Sequence, residues 1–133
     1  MKGVAEIAAV MVGGAVGTTL RLSIDAALPH GNTGFPVSTL IINTLGAFAL
    51  GMLVAWVWPK ASSWLRAGLG AGMLGSFTTF SAVAVSLVAL ATSGQWMLVV
   101  IYLLATLVLG LGAAWLGLRL GGLRAGPIDE VNE

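Results

Sequence analysis

Charged residues are scarce in this sequence. Only 8% of its 133 residues are charged and 58% are hydrophobic, whereas a soluble domain carries about 25% charged residues. The uncharged run from Ala67 to Leu118 holds 52 residues, which would extend about 78 Å as a helix. Because the apolar core of a bilayer is about 30 Å thick, this run must cross it more than once. The composition therefore predicts a multi-pass integral membrane protein in a lipid bilayer.

Cysteine is absent, and histidine occurs once, at His30 beside Pro29. Disulfides and thiolate metal sites are therefore excluded. A lone histidine in a polar loop, with no neighbouring carboxylates, does not form a catalytic constellation, so we expect no enzymatic activity. The net charge of +1 is too small to favour nucleic acid as a partner.

Segments rich in turn formers or charge divide the chain into four apolar spans. A closed barrel needs more strands than this chain can supply, so four spans indicate four helices and an all-α fold. We expect residues 1–120 to form one transmembrane domain and residues 121–133 to form a mobile C-terminal tail. The predicted spans are Val4–Leu22, Phe35–Trp58, Trp64–Ala91 and Gln95–Leu118.

Glycine is abundant, with 19 residues. The sequence G-G-A-V-G (Gly13–Gly17) has the spacing of small residues that allows two membrane helices to approach closely. The third span carries a further series at Gly68, Gly70, Gly72 and Gly75. Packing is the expected role of most of these glycines, and their faces favour association, most simply as a dimer.

Basic residues are distributed unequally between the two ends of the predicted spans. One end has only Arg21, whereas the end that holds both termini carries the other five cationic residues. Loops rich in Lys and Arg stay in the cytoplasm, so we expect cytoplasmic termini. The five residues are Lys2, Lys60, Arg66, Arg119 and Arg124.

Polar side chains recur at helical spacing within the second and fourth spans. Thr39 and Asn43 are four residues apart, as are Tyr102 and Thr106, so each pair shares one helix face. Such residues at membrane depth usually face a cavity or a partner, although Ser and Thr can instead bond to their own helix. Glu6 lies near the start of the first span, and no other Asp or Glu occurs within the four spans, so no carboxylate is expected at membrane depth. Donors without carboxylates favour a small anion over a cation.

The third span contains G-S-F-T-T-F-S (Gly75–Ser81) in the middle of its apolar run. The β-branched Thr78 and Thr79 make a helix break plausible here. Carbonyl oxygens freed by a break would suit a cation such as Na⁺, and irregular backbone at this depth persists only where it is buried or lines a cavity. The ring edge of Phe80 carries a positive partial charge that favours an anion.

Three motifs together resemble the Fluc/CrcB family of fluoride channels in order and spacing. They are G-G-A-V-G-T-T-L-R (Gly13–Arg21), S-T-L-I-I-N-T-L-G (Ser38–Gly46) and G-S-F-T-T-F-S. The resemblance implies a channel that exports fluoride across the cytoplasmic membrane and lowers cytoplasmic fluoride. It also implies an antiparallel dimer of four-helix subunits, with two pathways and a structural Na⁺ at the dimer centre.

The resemblance assigns expected roles to individual residues. The backbone carbonyls of Gly75 and Thr78 would bind the Na⁺. Asn43 would donate to fluoride and hold the pore geometry, and Phe80 would be one of two pore-facing rings. The expected fluoride pathway consists of Arg21, Thr39, Asn43, Thr79, Phe80, Ser81, Tyr102 and Thr106.

The sequence departs from the family pattern at three positions. Val83 stands where the family has a second phenylalanine, Ser86 where a glutamate is expected and Gly110 where a third hydroxyl is expected on the fourth span. Val83 has no ring edge to offer an anion. Together with the unequal basic residues, this favours pairing with a homologous subunit of opposite orientation, and a homodimer remains the alternative.

Two other functions compete with a fluoride channel. A small multidrug-type transporter has the same size and span number, but it would need a carboxylate in the first span. A non-conducting subunit or scaffold would use its glycines only for packing. Replacing Asn43 and Phe80 distinguishes these functions, because only a channel would lose ion flux.

Overall fold

The computed structural model describes residues 2–28 and 34–125, which are helical apart from short connections. Four helical stretches are long and apolar enough to cross a membrane, and no strand occurs in these two ranges. This confirms the all-α, four-span prediction. The helices are α1 (Lys2–Ala27), α2 (Val37–Met52, continued by a π-helical turn at Leu53–Val57), α3 (residues 63–77), α4 (Phe80–Thr92) and α5 (Trp96–Ala125).

The third span is divided between α3 and α4, and α3 is itself composite. It starts as an α-helical turn at Ser63–Arg66, widens into a π-helical stretch at Ala67–Leu74 and ends with Gly75–Phe77. This π-helical stretch was not predicted, and it contains Gly68, Gly70 and Gly72 of the glycine series.

Helix α5 continues to Ala125, so it includes the first five residues of the segment 121–133 that was expected to form the tail. The division of the chain into a transmembrane domain and a tail stays a prediction. The mobility expected of the tail stays a prediction, because residues 126–133 lie outside the described residues, as does His30.

Helices α1 and α3 pack side by side in the same direction with their backbones in contact. A Cβ atom at Gly13 would overlap the carbonyl oxygen of Gly68, and one at Gly17 would overlap that of Met73. A Cβ atom at Gly72 would lie 2.7 Å from the carbonyl oxygen of Val10 on α1, which is also too close. The packing role expected of these glycines is confirmed.

Helices α2 and α5 form a second pair, built in the same way. A Cβ atom at Gly51 would overlap the carbonyl oxygen of Ala114, and one at Gly117 would overlap that of Phe48. Each pair therefore depends on small residues that let two backbones meet, as expected for helices that gain little from burying apolar side chains in lipid.

The helix pairs leave an open groove along one face of the subunit, with a volume of about 980 Å³. Parts of α2, α3, α4 and α5 line it, so the groove follows the third span on both sides of its interruption. Helix α4 is held against the bundle by a small cluster made of Val83, Leu90 and Tyr102.

One end of the bundle is formed by the start of α1, residues 58–62 and the end of α5, and we call it the basic end. Two of its arginines lie over indole rings. The guanidinium carbon of Arg119 is 5.0 Å from the ring centre of Trp115, and that of Arg124 is 5.3 Å from that of Trp56. These are cation–π distances, and the contact between Arg124 and Trp56 brings the end of α5 to the end of the second span.

Candidate functional site

The third span is interrupted at Thr78 and Thr79, where the backbone is extended. Thr78 has φ −78° and ψ 154°, and Thr79 has φ −148° and ψ 113°. Neither residue belongs to a helix. The break that the sequence made plausible is confirmed, and it lies one turn beyond Gly75.

Asn43 of α2 binds both backbone groups of Thr79. Its Oδ1 accepts a hydrogen bond from the Thr79 amide at 2.9 Å, and its Nδ2 donates to the Thr79 carbonyl at 3.0 Å. The side chain thus replaces the helical partners that the extended backbone has lost. An amide –NH₂ has two donors, so one N–H of Asn43 remains after this pairing.

The hydroxyl groups at the break terminate the two helices. Thr79 Oγ1 accepts from the amide of Ala82 at 3.2 Å, which makes Thr79 the N-cap of α4. The same oxygen is 3.1 Å from Ser81 Oγ. Thr78 Oγ1 donates back to the Leu74 carbonyl at 2.9 Å. The structure therefore brings together Thr78, Thr79 and Ser81, as expected, but two of these hydroxyls serve the backbone.

The break removes the usual helical donors from the carbonyl oxygens that precede it, and these include the oxygens of Gly75 and Thr78. The amide four residues after Gly75 is that of Thr79, and it bonds to Asn43. The amide four residues after Thr78 is that of Ala82, and it bonds to Thr79 Oγ1. Free carbonyl oxygens are suitable ligands for a hard cation. Gly75 also has room around it, since a Cβ there would approach only the Gly70 carbonyl, at 3.7 Å.

Phe80 and Val83, in the first turn of α4, both line the groove but differ in exposure. Phe80 lines the groove with 85% of its surface exposed, whereas Val83 is only 4% exposed and packs with Leu90 and Tyr102. A second ring at position 83 would therefore have to be accommodated within that cluster.

A buried cluster of hydroxyl groups lies between α2, α4 and α5. Tyr102 is completely buried and Thr39 is 5% exposed, and the Tyr102 hydroxyl faces Thr39, Ser86 and Thr106. Among the described residues, neither the Tyr102 hydroxyl nor Thr106 Oγ1 has a hydrogen-bond partner of good geometry. Leaving a buried polar group unpaired costs about 1–3 kcal/mol, so these two oxygens are poised to bind a further donor or acceptor.

The ring of Phe35 closes this cluster from the side. Its centre is 5.6 Å from that of Tyr102, with the planes at 84°. The edge-to-face arrangement fixes the orientation of the tyrosine ring.

Of the predicted pathway residues, four line the groove: Asn43, Thr79, Phe80 and Thr106. Thr39, Ser81 and Tyr102 lie beside these residues without lining the groove. Arg21 lies on α1, which contributes no lining residue. Its role at a pathway mouth stays a prediction.

Two functional candidates escaped sequence reasoning. Trp58 and Arg66 line the basic end of the groove, although they flank a loop in the sequence and carry no motif. The only available signal was their position next to a membrane boundary, which also suits a simple anchoring role.

The geometry defines a class of protein: a four-span helical membrane protein in which polar side chains surround an interrupted helix beside an open groove. The family follows from the comparison with known proteins. Residues 8–118 match the family described as CrcB-like protein, Camphor Resistance (CrcB), and the chain belongs to this family.

Curated relatives match nearly the whole chain. A protein of Xanthomonas euvesicatoria named fluoride-specific ion channel FluC is 41% identical over 114 residues, which are 84% of this chain and 86% of the relative. A protein of Thermus thermophilus with the same name is 41% identical over 119 residues, which are 88% of this chain and 95% of the relative. The resemblance found in the sequence is thereby confirmed.

Proposed function

We propose that this protein is a fluoride-specific ion channel that lets fluoride leave the cell and so lowers cytoplasmic fluoride. Relatives about equal in length to this chain carry that name. The observation that carries the proposal is the clamp between Asn43 and Thr79, because it places a free amide N–H beside the break, within the groove that Phe80 lines. The family match does not favour a multidrug-type transporter or a scaffold. A channel has no reaction to catalyse, so the chain is not an enzyme.

Fluoride is small and strongly hydrated, so a pathway must replace its water with other donors. Three groups can donate hydrogen bonds to fluoride in place of water. They are the remaining N–H of Asn43 and the unpaired hydroxyls of Tyr102 and Thr106. The exposed edge of Phe80 adds a weakly positive surface. No Asp or Glu lines the groove, so an anion meets no repulsive charge there.

Fluoride efflux from liposomes tests this function. Vesicles loaded with potassium fluoride, together with a potassium ionophore to balance charge, should release fluoride promptly to an electrode. We expect Thr106→Val to slow release at least about tenfold, because it removes an unpaired hydroxyl without changing the side-chain shape.

Thr92→Val is the matched control for this experiment. The Thr92 hydroxyl bonds to the Val88 carbonyl of its own helix at 2.9 Å and lies outside the groove. Equal release from both variants would remove the Thr106 hydroxyl from the pathway, and no release from the unmodified protein, either alone or together with a homologous subunit, would contradict the proposed function.

The carbonyl oxygens of Gly75 and Thr78 are the groups that would hold a structural Na⁺. They fit that role because the amides that would otherwise occupy them bond elsewhere. A bound Na⁺ would supply positive charge beside the break and join two subunits. Exchanging Na⁺ for N-methylglucamine should lower the melting temperature and the efflux rate, and identical behaviour in both cations would refute this site.

An antiparallel dimer would cover the groove and the exposed ring of Phe80, and the proposed partner is either a second copy or a homologous subunit. The buried Val83 and the five cations at one end favour a homologue of opposite orientation. Purification of the chain alone distinguishes the two, since a stable dimer with rapid fluoride efflux would establish the homodimer.

We further propose that both termini face the cytoplasm in the cell membrane. The support is the concentration of Lys and Arg at the basic end. The cysteine-free chain allows a simple test, in which a cysteine introduced at Lys60 should react with an impermeant thiol reagent only after the cell membrane is opened. Labelling in intact cells would reverse this orientation.

A further inference from the structure

The groove has a single charged lining residue, Arg66, at its basic end. Arg66 Nε donates to the Ala61 carbonyl at 3.1 Å, which anchors the side chain to the loop before α3. Among the described residues, the terminal nitrogens of this guanidinium form no hydrogen bond or ion pair. Within this part of the chain, they are therefore available to a ligand.

Trp58 lines the same end of the groove and has an unused donor. Its Nε1 atom is buried, with no hydrogen-bond partner among the described residues. The ring is fixed against α3, because a Cβ atom at Gly70 would be 3.3 Å from Trp58 Cζ2. An indole nitrogen can only donate, so the group that satisfies it must be an acceptor or an anion.

The walls between these two residues increase the effect of the charge. Ala67, Gly70 and Ala71 line this part of the groove and present no polar side chain. Arg66 itself is exposed, so these walls lower the local dielectric constant on one side of its guanidinium and strengthen its attraction for anions on that side.

We propose that Arg66 and the Trp58 indole N–H form an anion-capture site that concentrates small monovalent anions at the basic end of the groove before they reach the helix break. The biological purpose of this site rests on the proposed function, whereas its ability to bind an anion does not. It would take an anion that is still partly hydrated and accepts hydrogen bonds. Selection among anions would occur deeper, at Asn43 and the hydroxyl cluster.

The absence of cysteine provides a direct probe of this site. Ala71 is exposed and lines the groove, so the variant Ala71→Cys places one thiol near Arg66. The rates of its modification by an anionic and a cationic methanethiosulfonate report the local potential. We expect Arg66→Gln to lower the ratio of anionic to cationic rates by about fivefold or more at low ionic strength, and the difference to vanish near 1 M salt.

Three further variants make this result specific. Arg119→Gln is the matched control, because it removes a guanidinium from the same end but outside the groove, and it should change the ratio little. Arg66→Lys should restore most of the ratio, since it keeps the charge. Trp58→Phe keeps a ring and removes the N–H, so it should lower the ratio by a smaller factor.

Clear results would overturn the capture site. They are an unchanged ratio in Arg66→Gln, an equal decrease in Arg119→Gln, or a thiol at position 71 that neither reagent reaches. An unchanged ratio in Trp58→Phe would remove the indole from the site.

Fluoride flux then separates this proposal from the proposed function. Arg66→Gln should slow efflux severalfold at low ionic strength and much less at high ionic strength. If the unmodified protein releases no fluoride, either alone or together with a homologous subunit, while the thiol ratio still depends on Arg66, the channel function fails and the capture site stands.

Discussion

The two halves of the third span are held in different ways. Helix α3 presses its backbone onto α1 at Gly68 and Gly72, both of which are buried. Helix α4 has a largely exposed outer surface, with Val85 69% and Val88 62% exposed. Its inner contacts are side chains, chiefly Val83 and Leu90.

This contrast separates a rigid half from a half whose orientation depends on a few polar contacts. Backbone contacts between glycines leave α3 no freedom to rotate or shift. Helix α4 is attached through the Asn43 clamp, the Thr79 cap and a small apolar cluster. Segments with few buried contacts open at lower free energy than the rest of a protein, so the pathway side of the break is the adaptable side.

The largest effect is expected from Gly13→Leu, which should disrupt the packing of α3 against α1. A side chain there would overlap the Gly68 backbone, and neither helix could retreat without losing the adjacent contacts. We expect a cost of about 3 kcal/mol or more, seen as loss of the monodisperse peak in size-exclusion chromatography. Gly112→Leu is the control, since nothing lies within 4 Å of a Cβ at Gly112, and equal damage by both substitutions would contradict the contrast.

The next largest effect should come from Asn43→Ala, which releases the adaptable half. The substitution leaves the amide and carbonyl of Thr79 unpaired at membrane depth, at a cost of about 2–4 kcal/mol. We expect a lower melting temperature and loss of fluoride efflux. Hydrogen exchange should accelerate at the Thr79 amide and in α4 but not in α3.

Asn43→Asp sharpens the same experiment. A carboxylate keeps the acceptor for the Thr79 amide and loses the donor to its carbonyl, and it adds a negative charge to the groove. It should therefore block fluoride, and because the new carboxylate oxygen faces the Thr79 carbonyl with no proton between them, it should be no more stable than Asn43→Ala. Faster efflux through Asn43→Asp than through Asn43→Ala would show that the charge does not face the ion.

The same contrast explains what the sequence could predict. The four spans and the glycine packing followed from composition and spacing, because the bilayer allows few alternatives to packed helices. The break was plausible from Thr78 and Thr79 alone. The function followed from three motifs taken together and not from any single polar residue.

The hydrogen bonds and packing at the site could not be predicted, because they depend on contacts between distant parts of the chain. Asn43 and Thr79 are 36 residues apart, and spacing along one helix carries no information about such a pair. The sequence suggested that Asn43 donates to the ion, whereas most of its hydrogen-bonding capacity holds the backbone. The unpaired indole N–H of Trp58 could not be predicted either. The neighbouring helix decides whether a tryptophan beside a loop anchors the protein in the membrane or lines a groove.

A smaller effect is expected from Thr79→Val, which removes the cap of α4 and leaves the Asn43 clamp. Loss of an N-cap costs about 1 kcal/mol, so the melting temperature should fall slightly and the Ala82 amide should exchange faster. Thr79→Ser keeps the capping oxygen and should behave like the unmodified protein. If valine and serine were equivalent at this position, the cap would contribute nothing to the orientation of α4.

The smallest effect tests the other end of the adaptable half, at the turn between α4 and α5. Gly94 has φ 76°, a conformation that costs an alanine about 1 kcal/mol. Gly94→Ala should therefore lower the melting temperature by a few degrees. Gly122→Ala should raise it slightly, because Gly122 lies within helix α5 with nothing within 4 Å of its Cβ position, and alanine favours a helix by about 1 kcal/mol over glycine. The two substitutions add the same methyl group, so shifts of the same sign would show that the turn does not constrain α4 and that its orientation comes from the break alone.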